Sequence, residues 1–253
     1  MSAHFSLAGQ VALVTGASRG LGAAIAIGLA EAGADVAVHG NSRSPEATCA
    51  RVRALGRSAL PLVGDLGQPG TPDRLVAETL AGLKRLDLLV NNAGTIRRAA
   101  AVETADEDWQ AVLDVNLSAV FRLCRAAARH MLASGSGGRI VSIASLLSFQ
   151  GGIRVPAYAA AKHGVAALTK ALSNEWAAAG VNVNAVAPGY MKTDNTEALR
   201  ADPERSRQIL ERIPAGRWGE PEDVVGAVVF LASPAAAYVH GHVLAVDGGW
   251  LGR

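Results

Sequence analysis

Short runs of Val, Leu and Ile alternate along the chain with longer Ala-rich stretches, and few folds tolerate that alternation from end to end. The runs fall near 11–15 (VALVT), 35–39 (DVAVH), 59–63 (ALPLV), 86–90 (LDLLV), 139–143 (RIVSI), 181–186 (VNVNAV) and 243–246 (VLAV). Most lack the polar alternation of a strand with one wet face, so helices are expected to cover them on both sides. Those helices are expected near 20–32, 45–56, 71–84, 106–133, 157–179 and 220–232, with Gly33, Gly56 and Gly180 just past three of the ends. Strand, helix and strand in repeated order build βαβ units. The expected fold is therefore α/β, a Rossmann-type doubly wound parallel sheet of about seven strands. No linker or repeat divides the chain, so residues 1–253 are read as one domain. The stretch 188–219, with Pro188-Gly189, Pro203 and Pro214, fits the alternation poorly and is expected to be a mobile flap beside a site.

Charge and cysteine content exclude several functions. The 24 Lys and Arg nearly balance 22 Asp and Glu, so no broad positive field exists for nucleic acid or an anionic membrane. Cys49 and Cys124 are far apart, without a C-x-x-C or a His cluster, and are read as reduced thiols with no metal site. The apolar stretch 224–232 is too short to span a bilayer. The opening Met1-Ser-Ala-His-Phe-Ser has no basic segment before an apolar run, so a soluble, cytoplasmic protein is expected.

The first strand runs into Thr15-Gly-Ala-Ser-Arg-Gly-Leu-Gly22, which places Gly16, Gly20 and Gly22 in a turn opening a helix. Missing Cβ atoms let a pyrophosphate approach the backbone, and a helix start offers free N–H groups. A tight turn in a glycine-rich protein is the bland alternative. Further on, Tyr158 and Lys162 lie four apart in an Ala-rich helix and share a face. An ammonium beside a phenol favours the phenolate and makes tyrosine a better acid or base. Alone, Y-x-x-x-K is a common accident. Ser145 lies thirteen residues upstream, beyond the strand RIVSI, though Ser142 and Ser148 are equally good strand-end hydroxyls by composition.

The loop spacing, Asn91-Asn-Ala-Gly94 after a later strand, Asn116 in Asp114-Val-Asn-Leu117, and Ser145, Tyr158 and Lys162 together resemble the short-chain dehydrogenase/reductase family over essentially the whole chain. The resemblance implies hydride transfer between a nicotinamide and a carbinol carbon. It makes Tyr158 the proton donor, Ser145 the donor to the substrate oxygen, Lys162 a holder of the nicotinamide ribose, and Asn116 the holder of a relay water. It sets the dinucleotide against Gly16, Ser18, Arg19, Gly20, Leu21 and Gly22. Asp65 and Leu66 would meet the adenine, and Asn92, Ala93 and Gly94 would back the adenosine. Pro188, Gly189, Met191 and Thr193 would meet the carboxamide, with Tyr158 and Lys162 completing the cofactor set. The bland alternative for Asp65 is a loop or capping carboxylate, and for Asn116 a helix residue bonding locally.

Cofactor choice turns on the end of the second strand, which reads His39-Gly-Asn-Ser-Arg43 without a carboxylate, while Asp35 begins that strand. With Arg19 and Arg43 at this edge NADP is admitted, whereas a narrower resemblance points to NAD; NAD or NADP is expected, with a lean to NAD. That narrower resemblance lies in Ile96-Arg-Arg98, Ser148-Phe-Gln-Gly-Gly-Ile-Arg-Val-Pro156, Ala187-Pro-Gly-Tyr-Met191, Arg212-Ile-Pro-Ala-Gly-Arg-Trp-Gly219 and Val246-Asp-Gly-Gly-Trp-Leu251. It is to family members acting on keto-deoxy sugar acids. Arginine forks suit a carboxylate, so Arg98 and Arg154 are the candidates to hold one, with Ser145 and Tyr158 at the reacting oxygen. Solvated loop arginines are the bland alternative. The competing functions are a 3-oxoacyl-thioester reductase using the same residues, and a catalytically silent dinucleotide-binding protein. The family resemblance also implies a homotetramer, and Trp250 and Leu251 are expected to be buried in a neighbour or beside the substrate pocket.

Overall fold

A computed structural model of the protein describes residues 3–253. Met1 and Ser2, which open the stretch read above as lacking a basic segment, lie outside the described residues. Seven strands form one sheet: β1 (Val11–Val14), β2 (Asp35–Gly40), β3 (Ala59–Val63), β4 (Leu88–Asn91), β5 (Gly138–Ile143), β6 (Val181–Pro188) and β7 (Val243–Val246). Their order across the sheet is β3-β2-β1-β4-β5-β6-β7, and every pairing is parallel. Every residue of β1, β4 and β6 is buried, which explains why these runs carry no polar alternation.

Two apolar layers sandwich the sheet. One draws on α1 (Gly20–Glu31), α2 (Glu46–Ala54) and α9 (Val225–Ala232), with Ile25, Leu29 and Val52 on the β1–β3 side and Val228 on the β5 and β6 side. The other draws on α3 (Thr71–Leu83), α5 (Ala119–Ser134) and α6 (Pro156–Trp176), with Leu75 on the β1–β3 side and Leu123 and Val165 on the β4–β6 side. From β1 the chain winds outward to β2 and β3, and from β4 it winds the other way. The strand order therefore reverses between β1 and β4 and opens a crevice at their C-terminal ends, where ligands of such sheets bind.

Two expectations need correction. The single helix expected over 106–133 is α4 (Asp106–Leu113) and α5 joined by a π-helical turn, Asp114–Ser118. The Ala119 N–H reaches back five residues to the Asp114 carbonyl, and Asn116 lies inside that wide turn. The stretch 188–219 contains two helices, α7 (Glu197–Ala201) and α8 (Pro203–Arg212). Asp202 caps α8 through the N–H groups of Glu204 (3.0 Å) and Arg205 (3.1 Å), and Pro203 fills its first position. Its exposed side carries Arg207 paired with Glu204 and Glu211, pairs that water screens and that add little to stability. Its inner side is anchored by Ile209, packed with Leu146, Ile213, Trp218 and Trp250. Burying such side chains is worth about 1.5–3 kcal/mol apiece, so apolar anchoring holds the segment. Trp250 is thus buried within its own chain, with its indole N–H on Gln150 Oε1 (3.2 Å), and needs no neighbour. Among the described residues no helix is long and apolar enough to cross a membrane. Both cysteines are free and buried.

Candidate active site

The crevice is built by bolting β1 to β4. Thr15 Oγ1 accepts from the backbone N–H groups of Asn92 (3.0 Å) and Ala93 (3.1 Å), while Asn92 Nδ2 donates to the carbonyls of Thr15 (2.9 Å) and Gly16 (3.0 Å). Side chains are excluded here: at Gly16 (φ +61°) a Cβ would lie 2.7 Å from Ala93 Cα, and at Gly22 it would strike Asn92 and the Gly16 carbonyl. Gly20 instead faces open space. Arg19, the residue before α1, offers no side-chain cap, and the first turn holds no acid. The free N–H groups and positive end of α1 therefore face the crevice, beside a cleft lined by Ser18, Arg19, Gly20, Thr48 and Arg51. These residues fit the pyrophosphate of a dinucleotide. Leu21 packs against the core beneath the loop. Asp65 is exposed and its carboxylate accepts from the Gly67 N–H (2.9 Å), the loop role named as its bland alternative; Leu66 is buried.

Across the crevice, α6 starts at Pro156 and buries Ala157, Ala161, Val165 and Leu172 against the sheet. It approaches the π-turn closely, since a Cβ on Gly164 would lie 2.8 Å from Leu117 Cδ1. Tyr158 and Lys162 share the face toward the crevice, with Lys162 Nζ 5.5 Å from the Tyr158 ring centre. Ser145 caps the short turn Leu146–Ser148, and its Oγ accepts from the Leu147 N–H (3.1 Å), so its own proton is left free to donate. Ser148 Oγ donates to the Lys162 carbonyl (2.7 Å), which pins that turn to α6 on the side of Tyr158, whose phenolate the Ser145 hydroxyl favours.

The electrostatics differ from the expectation that Lys162 depresses the phenol. Burial raises the Tyr158 pKa above its ordinary value, opposed by the Ser145 hydroxyl and then by the Arg98 charge. Lys162 is itself buried and pushed down to about 8, and its Nζ donates to the Ile143 carbonyl (2.6 Å). A base held below its unfolded pKa disfavours folding most at low pH, and the penalty fades as pH rises from about 8 toward the ordinary lysine range. Lys162→Met is therefore expected to stabilise the protein by about 1–3 kcal/mol at neutral pH, after loss of one hydrogen bond, with the gain shrinking at alkaline pH. Calorimetric melting of both proteins across that range checks this; a gain that grew with pH would contradict it.

Asn116 is fully buried. Its Nδ2 donates to Thr95 O (2.9 Å) and Val112 O (2.8 Å), while its Oδ1 accepts from Thr95 N (3.2 Å). Both amide protons are committed within the protein, so the side chain sets the Gly94–Thr95 loop, and a water held by this residue would have to be the donor. Gly94 must lack a side chain, because a Cβ there would lie 2.7 Å from Asn116 Oδ1.

Of the arginines, Arg97 turns away toward Asp108 (3.6 Å), while Arg98 donates to the Asn195 carbonyl (2.8 Å) and acts on Tyr158. Arg154 is exposed in a left-handed backbone conformation (φ +63°), and its carbonyl accepts from the Ala99 N–H (3.1 Å), joining its loop to that of Arg98. Pro188 ends β6. Gly189 donates to Val246 O (2.9 Å) and must be glycine because Asp247 Cα would lie 2.6 Å from its Cβ. Met191 is buried, Thr193 caps the turn Asp194–Thr196, and Asp194 pairs with Arg19 across the crevice. Sequence reasoning missed Thr15, Ser148 and His39. Thr15 and His39 carried a signal, each being a polar residue at the crevice end of an apolar strand.

The match to known proteins covers the same ground. Residues 16–251 match the family described as Enoyl-(Acyl carrier protein) reductase. The 2-dehydro-3-deoxy-D-gluconate 5-dehydrogenase of Escherichia coli is 54% identical over 98% of both chains, and that of Bacillus subtilis 52% identical over 98% of this chain and 97% of its own. A crystal structure of a gluconate 5-dehydrogenase from Burkholderia cenocepacia, in complex with NADP and tartrate, superposes with a TM-score of 0.94 at 40% identity, covering 99% of this chain and 98% of that one. With the match running from the glycine loop almost to the last residue, this chain belongs to the short-chain dehydrogenase/reductase family of NAD(P)-dependent oxidoreductases.

Proposed function

We propose that the protein interconverts a hydroxyl and a keto group on a deoxy sugar acid of the 2-dehydro-3-deoxy-D-gluconate type, with Ser145, Tyr158 and Lys162 at the reacting carbon. The observation that carries this reading is the bond from the Ala99 N–H to the Arg154 carbonyl, which joins the loop of Arg98 to the loop that leads into α6 and Tyr158. Two guanidiniums on joined loops at the start of that helix suit a substrate that brings its own carboxylate. When bound, the nicotinamide supplies or accepts the hydride. Tyr158 Oη gives the proton to the substrate oxygen in reduction and takes it in oxidation, while the free proton of Ser145 holds that oxygen. Lys162 steadies the ribose from the same helix face. Asn116 fixes the Gly94–Thr95 loop behind it.

The glycine loop, Ser18, Arg19, Leu21, Asn92, Ala93 and Gly94 would hold the adenosine and pyrophosphate, with Asp65 and Leu66 at the adenine and Pro188, Gly189, Met191 and Thr193 at the carboxamide. Either dinucleotide suits the end of β2. Asp35 lies at the other end, bonded to Arg57 (3.1 Å) and the Ser58 N–H (2.7 Å), so no carboxylate there repels a 2′-phosphate. Free buried thiols fit a reducing cytoplasm. The half-exposed apolar edge strand β7, and Phe121 exposed on α5, fit a homotetramer, which light scattering would test.

An acyl-thioester reductase is the second reading, favoured by the description of the matching family. Substitution of the two arginines separates the readings. Arg98→Ala and Arg154→Ala are each expected to raise KM for a keto-deoxy sugar acid about tenfold or more, the scale of a lost charge-assisted bond, with cofactor KM unchanged. Steady-state kinetics with both substrates check this, and unchanged KM in both variants would overturn the carboxylate assignment.

A further inference from the structure

His39, next to last in β2, is a buried polar side chain that follows the apolar run Val36–Val38. Its Nδ1 accepts from the Gly16 N–H (3.2 Å), and its Nε2 lies 2.8 Å from the Gly64 carbonyl. A carbonyl only accepts, so the Nε2 carries the proton; an N–H only donates, so the Nδ1 is bare. The two bonds together define one neutral tautomer. The ring therefore ties the first glycine of the β1–α1 loop to the residue that precedes Asp65 in the loop after β3. These two loops flank the adenosine side of the crevice, and among the described residues no other side chain bonds to both.

We propose that His39 is a positioning residue for nucleotide binding, its neutral ring holding Gly16 and Gly64 in one register. The role rests on reading the glycine loop as the dinucleotide site. Protonation would place a second N–H against the Gly16 N–H, breaking that bond and loosening the loop. The ring's hydrogen-bond partners from the β1 and β3 sides are backbone groups, and the charged group facing it is the Arg74 guanidinium of α3. Burial lowers the His39 pKa, the Gly64 bond raises it less, and Arg74 lowers it further, so the folded protein keeps the ring neutral. The sign follows: the stability this ring contributes is complete above the ordinary histidine range and is lost as pH falls below it, whereas its share of binding persists to lower pH, until the folded ring itself takes up a proton.

The test uses ADP-ribose, which carries the adenosine and pyrophosphate but no nicotinamide and no 2′-phosphate, titrated by calorimetry into the full chain at about pH 8 and at steps down to the lowest pH at which the chain stays folded. The unaltered protein is expected to keep its affinity through the ordinary histidine range and to lose about fivefold, the worth of one neutral hydrogen bond, only below it, where the folded ring takes up a proton. His39→Asn places an acceptor where Nδ1 was and cannot titrate, so it is expected to lose the acid-dependent part while still binding. His39→Gln keeps a donor for Gly64 without the Gly16 acceptor, so it is expected to bind about fivefold more weakly at every pH. Melting of the ligand-free proteins should follow the same pattern, the unaltered chain losing more stability in acid than either variant. Should His39→Asn not fold, His39→Gln carries the comparison. Equal pH slopes in the unaltered chain and the folded variants, with binding intact, would overturn the role of His39 alone. Failure of the unaltered chain to bind ADP-ribose at pH 8 would overturn the dinucleotide reading and this proposal with it.

Discussion

Tyr158→Phe is expected to lower turnover about a thousandfold, the usual worth of a positioned general acid, while dinucleotide affinity stays within about twofold. The reasoning is local. Removing the hydroxyl keeps the ring beside Lys162 and leaves α6 packed on the π-turn, so the crevice keeps its shape. It removes a group that burial holds mostly protonated, and with it the hydroxyl on which Ser145 and Arg98 act. Stability is expected to hold or rise, since a phenylalanine ring has no polar atom to desolvate. Turnover read by reduced-nicotinamide absorbance, beside a fluorescence titration of the cofactor, separates the two effects. A variant within tenfold of the unaltered rate would mean that another group carries the proton.

Gly16→Ala is expected to be nearly as damaging by a different route. The residue adopts φ +61°, which costs an alanine about 1 kcal/mol, and the added methyl would meet backbone at Ala93 rather than a side chain that can turn aside. The clash must be relieved by moving β1 from β4, against the bonds of Thr15 and Asn92. Together these predict about 2–4 kcal/mol of lost stability and at least tenfold weaker dinucleotide binding. Denaturant melts and a cofactor titration measure both. Gly20→Ala is the informative partner, because nothing stands near its Cβ and only the positive φ is penalised. Equal effects at the two glycines would argue against close packing as the reason for Gly16.

Much of this was legible before any coordinates. The seven strands lie within two or three residues of the expected runs; β1, β4 and β6, covered on both faces, are largely apolar and leave the strongest mark. The spacing of Ser145, Tyr158 and Lys162 located the reactive face because a helix fixes which residues share a side. What could not be read depends on groups far apart in the chain. Lys162 loses its solvent only because β5 and α6 close over it, so its depressed pKa and its bond to Ile143 are tertiary facts. Asn116 is committed to Thr95, twenty-one residues away, and a pattern of apolar residues does not reveal a π-turn. Arg97 and Arg98 are adjacent and chemically equal, and only the direction of the loop sends one to Asp108 and the other toward Tyr158. Helix α8 leaves little apolar mark because it buries a single residue, Ile209, although Asp202-Pro203 is a readable start signal.

One kinetic comparison bears most directly on the whole reading: the rate at which the reduced-nicotinamide band changes when the protein meets a 3-deoxy keto sugar acid, set against a 3-oxoacyl thioester. The predicted result is a kcat/KM for the sugar acid at least about a hundredfold higher, as buried polar contacts left unpaired by the wrong substrate would impose. A preference for the thioester, or a silent band despite tight cofactor binding, would contradict it.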